Sequence, residues 1–204
     1  MVQRLEYLKE TPSQTAGPYV HIGLTPNRLG IFGIYPADPG LSPVGAGARG
    51  ERIVLTGRVI DGAGMILRDA VIETWQADAD GRYPVNDPRG PADPEVTGWA
   101  RIATDFDTGI WRLDTIKPGR VPFPDGRLMA PHLSVWLVAR GINLGLQTRI
   151  YFEDEAEAND ACPVLSRIEH RPRLDTLIAR RVAPAEYSFD IHLQGPHETV
   201  FFDI

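Results

Sequence analysis

The sequence predicts an all-β fold, an antiparallel β-sandwich with an irregular N-terminal arm and short helices, and three observations predict it. From Arg52 onward, short runs of alternating apolar and polar residues recur, separated by clusters of glycine, proline and aspartate. Apolar residues at helical spacing are confined to two brief segments. Residues 11–50 are dense in glycine and proline and show little alternation, so regular structure is not expected there.

In chain order, Ile53, Leu55, Gly57 and Val59 alternate with polar neighbours, and Asp61-Gly62-Ala63-Gly64 supplies a turn before the run Ala70 to Ala77. Further strands are expected at Trp99–Asp105, Gly109–Thr115, His132–Arg140, Leu146–Phe152, Tyr187–Leu193 and Thr199–Phe202, a number that suits two packed sheets. Helical signals fall on Glu153–Asp160, which is acidic and alanine-bearing, and on Arg173–Arg181, where Leu174, Leu177 and Ile178 sit at i, i+3 and i+4.

With 204 residues the chain is expected to form one domain, with 1–50 as an extended arm of that domain and 51–204 as the sandwich core. A stretch of roughly 40 residues without periodicity usually serves as a functional loop or contact surface. The arm is therefore expected to drape over another body.

The composition excludes several function classes. Hydrophobic residues make up 43% and charged residues 24%, ordinary globular usage. A net charge of −6, without any basic cluster interleaved with aromatics, argues against nucleic acid. The single cysteine, Cys162, has neither a disulfide partner nor a zinc-type neighbour and reads as a small buried hydrophobe. A charged N-terminus and no long apolar run point to a cytoplasmic protein with no membrane contact. Trp75, Trp99, Trp111 and Trp136 stand in expected strands and need no role beyond packing. His21, His170, His192 and His197 make no metal-ligand spacing.

The stretch Val71 to Tyr83, with Trp75-Gln76-Ala77 leading into Gly81-Arg82-Tyr83, resembles the family of intradiol ring-cleaving dioxygenases. Thr115-Ile116-Lys117-Pro118-Gly119, Thr148-Arg149-Ile150-Tyr151-Phe152, Cys162-Pro163-Val164 and Tyr187-Ser188-Phe189-Asp190-Ile191 follow in the family's order. The blocks Thr11 to Gly23, Ala139 to Asn143 and Glu198 to Asp203 look like the non-catalytic α-type chain of the family's two-chain members.

That resemblance implies a ferric, non-haem iron held by two tyrosinates and two histidines in the partner β-type chain, since hard anionic oxygens suit Fe(III). It implies that this chain holds no metal and supplies no catalytic residue. His132 matches one histidine ligand, but Ser134 stands at the second and Met129 at an arginine that flanks the bound catechol. The two tyrosine positions fall on Val121 and, across a one-residue gap, on Arg89. One imidazole cannot retain iron, so a structural role is expected for His132.

By the same resemblance, the holoenzyme is expected to cleave 3,4-dihydroxybenzoate with O2 to 3-carboxy-cis,cis-muconate, in a higher assembly of αβ units. Thr15, Gly17, Pro18 and Tyr19 of the arm would line the mouth of the partner's iron pocket, and Arg140 would attract the carboxylated substrate. The plain alternatives are an exposed turn for Thr15–Tyr19 and a surface ion pair for Arg140. Two other readings of the whole chain stay open: a self-sufficient catechol dioxygenase with a variant metal site, and a non-enzymatic β-sandwich binding module.

Overall fold

A computed structural model describes residues 15–17, 19–143 and 145–203. Nine strands dominate it: β1 (Arg52–Ile60), β2 (Val71–Trp75), β3 (Trp99–Ala103), β4 (Ile110–Ile116), β5 (Leu133–Val138), β6 (Leu146–Phe152), β7 (Ile178–Ala183), β8 (Glu186–Ser188) and β9 (Ile191–His192). They form one mixed sheet in the order β3-β2-β5-β6-β7-β8-β1-β4, with β9 beside β1, and the edge strands β3 and β4 approach each other so that the sheet nearly closes.

The β-rich class is as the alternation predicts, and most neighbours are antiparallel. Three pairings are parallel instead: β1 with β8, β1 with β9, and β6 with β7. The side chains of Leu55, Val59, Ile72, Trp111, Leu113, Leu133, Val135, Leu137, Phe152 and Tyr187 meet inside as the main core. A second core, with Val121, Met129, Tyr151, Cys162, Leu165 and Leu177, lies under the helical segments. Each buried aliphatic or aromatic side chain there contributes about 1.5–3 kcal/mol.

Three elements differ from the sequence reading. The expected helix over Arg173–Arg181 is a 3₁₀ segment, Arg171–Leu177, followed by strand β7. Ile178 leaves the coil to pair with Tyr151, and the Glu153 carboxylate takes the Arg181 N–H at 2.9 Å, so sheet pairing overrides the helical spacing. The expected strand over Tyr187–Leu193 is split into β8 and β9. Its break comes where the Asp190 carboxylate accepts the Arg58 N–H at 2.8 Å and the Phe189 backbone crosses Gly57, whose absent Cβ would lie 1.8 Å from the Phe189 carbonyl oxygen. The Thr199–Phe202 run makes one isolated bridge, Phe202 to Gln147. Glu153–Asp160 is helical as expected, a 3₁₀ turn (Glu153–Glu155) running into α2 (Ala156–Asp160).

The described part of the arm is less irregular than its composition suggests. It holds a short helix α1 (Tyr19–Leu24) and a 3₁₀ turn (Asn27–Leu29). The Asp38 carboxylate caps that turn, accepting the N–H groups of Asn27 and Arg28 at 2.9 Å each. The arm then runs along the sheet: Gly40 C=O accepts the Arg101 N–H at 2.8 Å, Pro43 C=O accepts that of Thr97 at 2.9 Å, and Val44 bridges Val96.

Candidate functional site

The Trp75-Gln76-Ala77 to Gly81-Arg82-Tyr83 block turns out to be scaffold. Gln76 is fully buried, donates to Ile116 C=O at 3.1 Å and accepts the Thr115 hydroxyl at 2.7 Å, tying the end of β2 to the end of β4. Asp78, also buried, accepts N–H groups from Asp80 and Arg82 on one oxygen and from Asp93 on the other. This fixes the turn in which Gly81 takes a positive φ of 74°, close against the Arg120 backbone.

Of the positions that the resemblance sets as metal ligands, Val121, Ser134 and Arg89 offer a hydrocarbon, a neutral hydroxyl and a cation, none of which suits a ferric ion. His132 is buried; its Nδ1 lies 2.8 Å from Ala130 C=O, which makes Nδ1 the protonated nitrogen and leaves Nε2 a bare acceptor without a partner among the described residues. Burial, and then the nearby Arg149 charge, push its pKa down to about 4, so it is a neutral ring at ordinary pH. Val121 and Met129 are buried apolar wall. Ser134 lies half-buried beside Arg149 in the sheet register.

Arg89 is held by Asp87, with Nε 2.9 Å and Nη2 2.6 Å from its two carboxylate oxygens, and it also donates to Gly81 C=O. The pair holds the Asp87 carboxyl well below the usual carboxylate range, the Arg89 hydrogen bond being the main cause. Tyr151 and Tyr83 lie in the same neighbourhood, and burial raises both phenols, which opposes tyrosinate formation. Among the described residues no group of three or more His, Cys, Asp or Glu side chains converges as a metal site.

A second cluster gathers sequence-predicted residues. The Thr15 hydroxyl oxygen accepts the Gly141 N–H at 2.7 Å, which ties the arm to the loop after β5. Beside it, Arg140 is 63% exposed and ion-paired with Asp69. Gly17 C=O accepts the Val20 N–H at 3.0 Å, opening α1, and the Tyr19 ring is 82% exposed. Pro18 lies outside the described residues.

The structure adds two residues that the sequence reading did not single out. Asp69, 12% exposed, is the anchor of Arg140. Arg149 was visible only as part of a motif, yet its guanidinium lies 3.4 Å from both the Met129 Sδ and the Tyr151 hydroxyl. Strand alternation would have put Arg149 on one face with Tyr151, but its position opposite Ser134 depends on the β5–β6 register, which no local pattern fixes.

Comparison with known proteins bears on both clusters. A family model described as "Dioxygenase" matches residues 37–195. The protocatechuate 3,4-dioxygenase alpha chain of Pseudomonas putida is 48% identical over 208 aligned residues, covering 98% of each chain. The protocatechuate 3,4-dioxygenase beta chain of Burkholderia cepacia is 36% identical, covering 74% of this chain and 67% of its own length. Among solved structures, 3-chlorocatechol 1,2-dioxygenase from Rhodococcus opacus shares the fold with a TM-score of 0.59 at 23% identity, over 78% of this chain and 67% of that one.

Proposed function

This chain belongs to the intradiol ring-cleaving dioxygenase family, and on that premise we propose that it acts as the α-type chain of a protocatechuate 3,4-dioxygenase. One observation carries the reading: the match to an α chain runs end to end at 48% identity, while the β-chain match is weaker and partial. The assembled αβ enzyme converts 3,4-dihydroxybenzoate and O2 to 3-carboxy-cis,cis-muconate. The ferric iron that supplies this chemistry belongs to the β-type partner, because three of the four ligand positions here hold Val121, Ser134 and Arg89 and the remaining one is a buried neutral imidazole.

The contribution of this chain is to bind and orient. The arm and the sandwich work as one domain, with residues 1–50 reaching to the partner and the core providing the platform. Thr15, Gly17, Pro18 and Tyr19 line the mouth of the partner's pocket: a glycine permits close backbone approach to a flat ring, a proline makes a stiff wall, and an exposed tyrosine supplies a ring and a hydroxyl. The hydrogen bond from Gly141 to Thr15 supports this role, since it holds the arm beside Arg140. Arg140 draws the substrate's carboxylate toward the mouth.

The enzyme works in the cytoplasm; no helix among the described residues is long and apolar enough to cross a membrane. Co-expression with a β-type chain tests the proposal. Ring cleavage in the co-purified complex, and none from either chain alone, is the expected result. Full activity of this chain by itself would favour a self-sufficient enzyme and overturn it.

A further inference from the structure

Across the outer face of the sheet, the register aligns Trp99, Trp75, Ser134 and Arg149 in one row over β3, β2, β5 and β6. The strands that carry Trp75 and Arg149 are two spacings apart, about 10 Å, with only the small side chain of Ser134 between them. Tyr83 stacks on Trp75 with ring centroids 5.9 Å apart and planes 7° from parallel. On the other side, Arg149 touches the Tyr151 hydroxyl at 3.4 Å and lies 6.0 Å from the centroid of the Phe202 ring. An aromatic wall, a hydroxyl floor and a guanidinium therefore share one spot.

What is missing there is a counter-charge. Among the described residues, no carboxylate lies within ion-pair distance of Arg149, whose named contacts are a thioether and a phenol, both at 3.4 Å. The nearby carboxylate that acts on Tyr83, Asp87, is already taken by Arg89. Tyr83 packs on the same cluster as Met129 and Tyr151, the two residues that Arg149 touches, and the His132 ring lies 5.6 Å from that of Tyr151. Behind them, the buried Nε2 of His132 is an acceptor without a partner among the described residues. A half-buried guanidinium with five donors and no anion is a costly arrangement that an added carboxylate would relieve.

We propose that Arg149, with Ser134 opposite it in the register, the Tyr151 hydroxyl beneath it and the Tyr83 ring stacked on Trp75 in the same row, forms a carboxylate-binding site on this chain. Its ligand is a small carboxylate, bound by the guanidinium fork and placed against Tyr83. An aromatic acid such as the substrate and an open-chain diacid such as the product share that chemistry. The site would let the enzyme hold a second molecule of such an acid without cleaving it, since these residues supply no metal.

The test uses the co-purified αβ complex and 4-fluorobenzoate followed by fluorine NMR. Ligand at the partner's iron is broadened by the paramagnetic ion, and the signal expected at Arg149 is sharp and sensitive to the Arg149 variants, so the two are read separately; if the partner reading failed, that signal would still report this site. One sharp, saturable site per chain is expected, with affinity reduced at least tenfold by Arg149→Gln, less by Arg149→Lys, and a few-fold by Tyr83→Phe. Should Arg149→Gln fail to assemble, the Arg149→Lys and Tyr83→Phe variants decide. Displacement by benzoate alone assigns an aromatic acid, and displacement by both benzoate and succinate assigns any small carboxylate. The absence of sharp saturable binding, binding that neither acid displaces, or affinity unchanged in all assembled variants would overturn the site.

Discussion

Arg140 is ion-paired with Asp69, and among the described residues the second carboxylate oxygen of Asp69 is buried without a hydrogen-bond partner. The arginine is thus anchored at its base while 63% of its side chain stays exposed beside the Thr15–Gly141 contact. An anchored, exposed cation next to the arm is suited to meeting an anion, a role distinct from that of a purely structural ion pair with Asp69.

Substrate comparison separates the two roles. In the αβ enzyme, Arg140→Ala is expected to raise KM for protocatechuate about fivefold relative to an uncarboxylated catechol with little change in kcat, the loss of roughly 1 kcal/mol from a partly exposed ionic contact. High salt should shrink the difference. Equal effects on both substrates, together with a lower Tm, would identify Arg140 as the partner of Asp69 and nothing more.

His132 gives a pH prediction. Its folded pKa is about 4, against an ordinary value of 6.5. Between those values the unfolded chain binds more protons, so the stability from the neutral ring is complete above about pH 6.5 and is lost as pH falls toward 4. The loss amounts to roughly 3 kcal/mol at most. Thermal melts from pH 7.5 to 4.5 should show a Tm decline that is shallower in His132→Phe, and parallel declines would refute the assignment.

The arm carries large apolar side chains in the open: Phe32 is 77% exposed, Leu41 69% and Ile34 54%. A soluble monomer rarely displays so many in one short stretch, and interfaces use them. The chain expressed without a partner is expected to self-associate in light scattering. Phe32→Ser with Ile34→Ser should reduce that association and also weaken recovery of the αβ complex; a stable wild-type monomer would contradict this.

Much of the fold was legible because burial follows alternation. Ile53, Leu55, Gly57 and Val59 are the inward positions of β1, and Trp111 and Leu113 those of β4, as their spacing predicts. Strand β7 was not legible: Leu174, Leu177 and Ile178 mimic a helix, and only pairing with Tyr151 makes Ile178 start a strand. Helix α1 and the Asp38 cap were hidden by the glycine and proline content of the arm. At the site, what Val121, Ser134 and Arg89 can offer a metal depends on residue type alone and needs no structure to be read. The setting of Arg149 and the Asp69 anchor of Arg140 depend on cross-strand and loop contacts that no local pattern encodes.

A chain that orients substrate for its partner's iron should hold none itself, and metal analysis measures this. The purified chain, supplied with iron under conditions that load a β-type chain, is expected to retain far below one iron atom per chain and to show no tyrosinate-to-iron absorption. His132→Ala should leave that residual iron unchanged. One firmly bound iron per chain, lost on His132→Ala, would show instead that the chain carries its own metal centre.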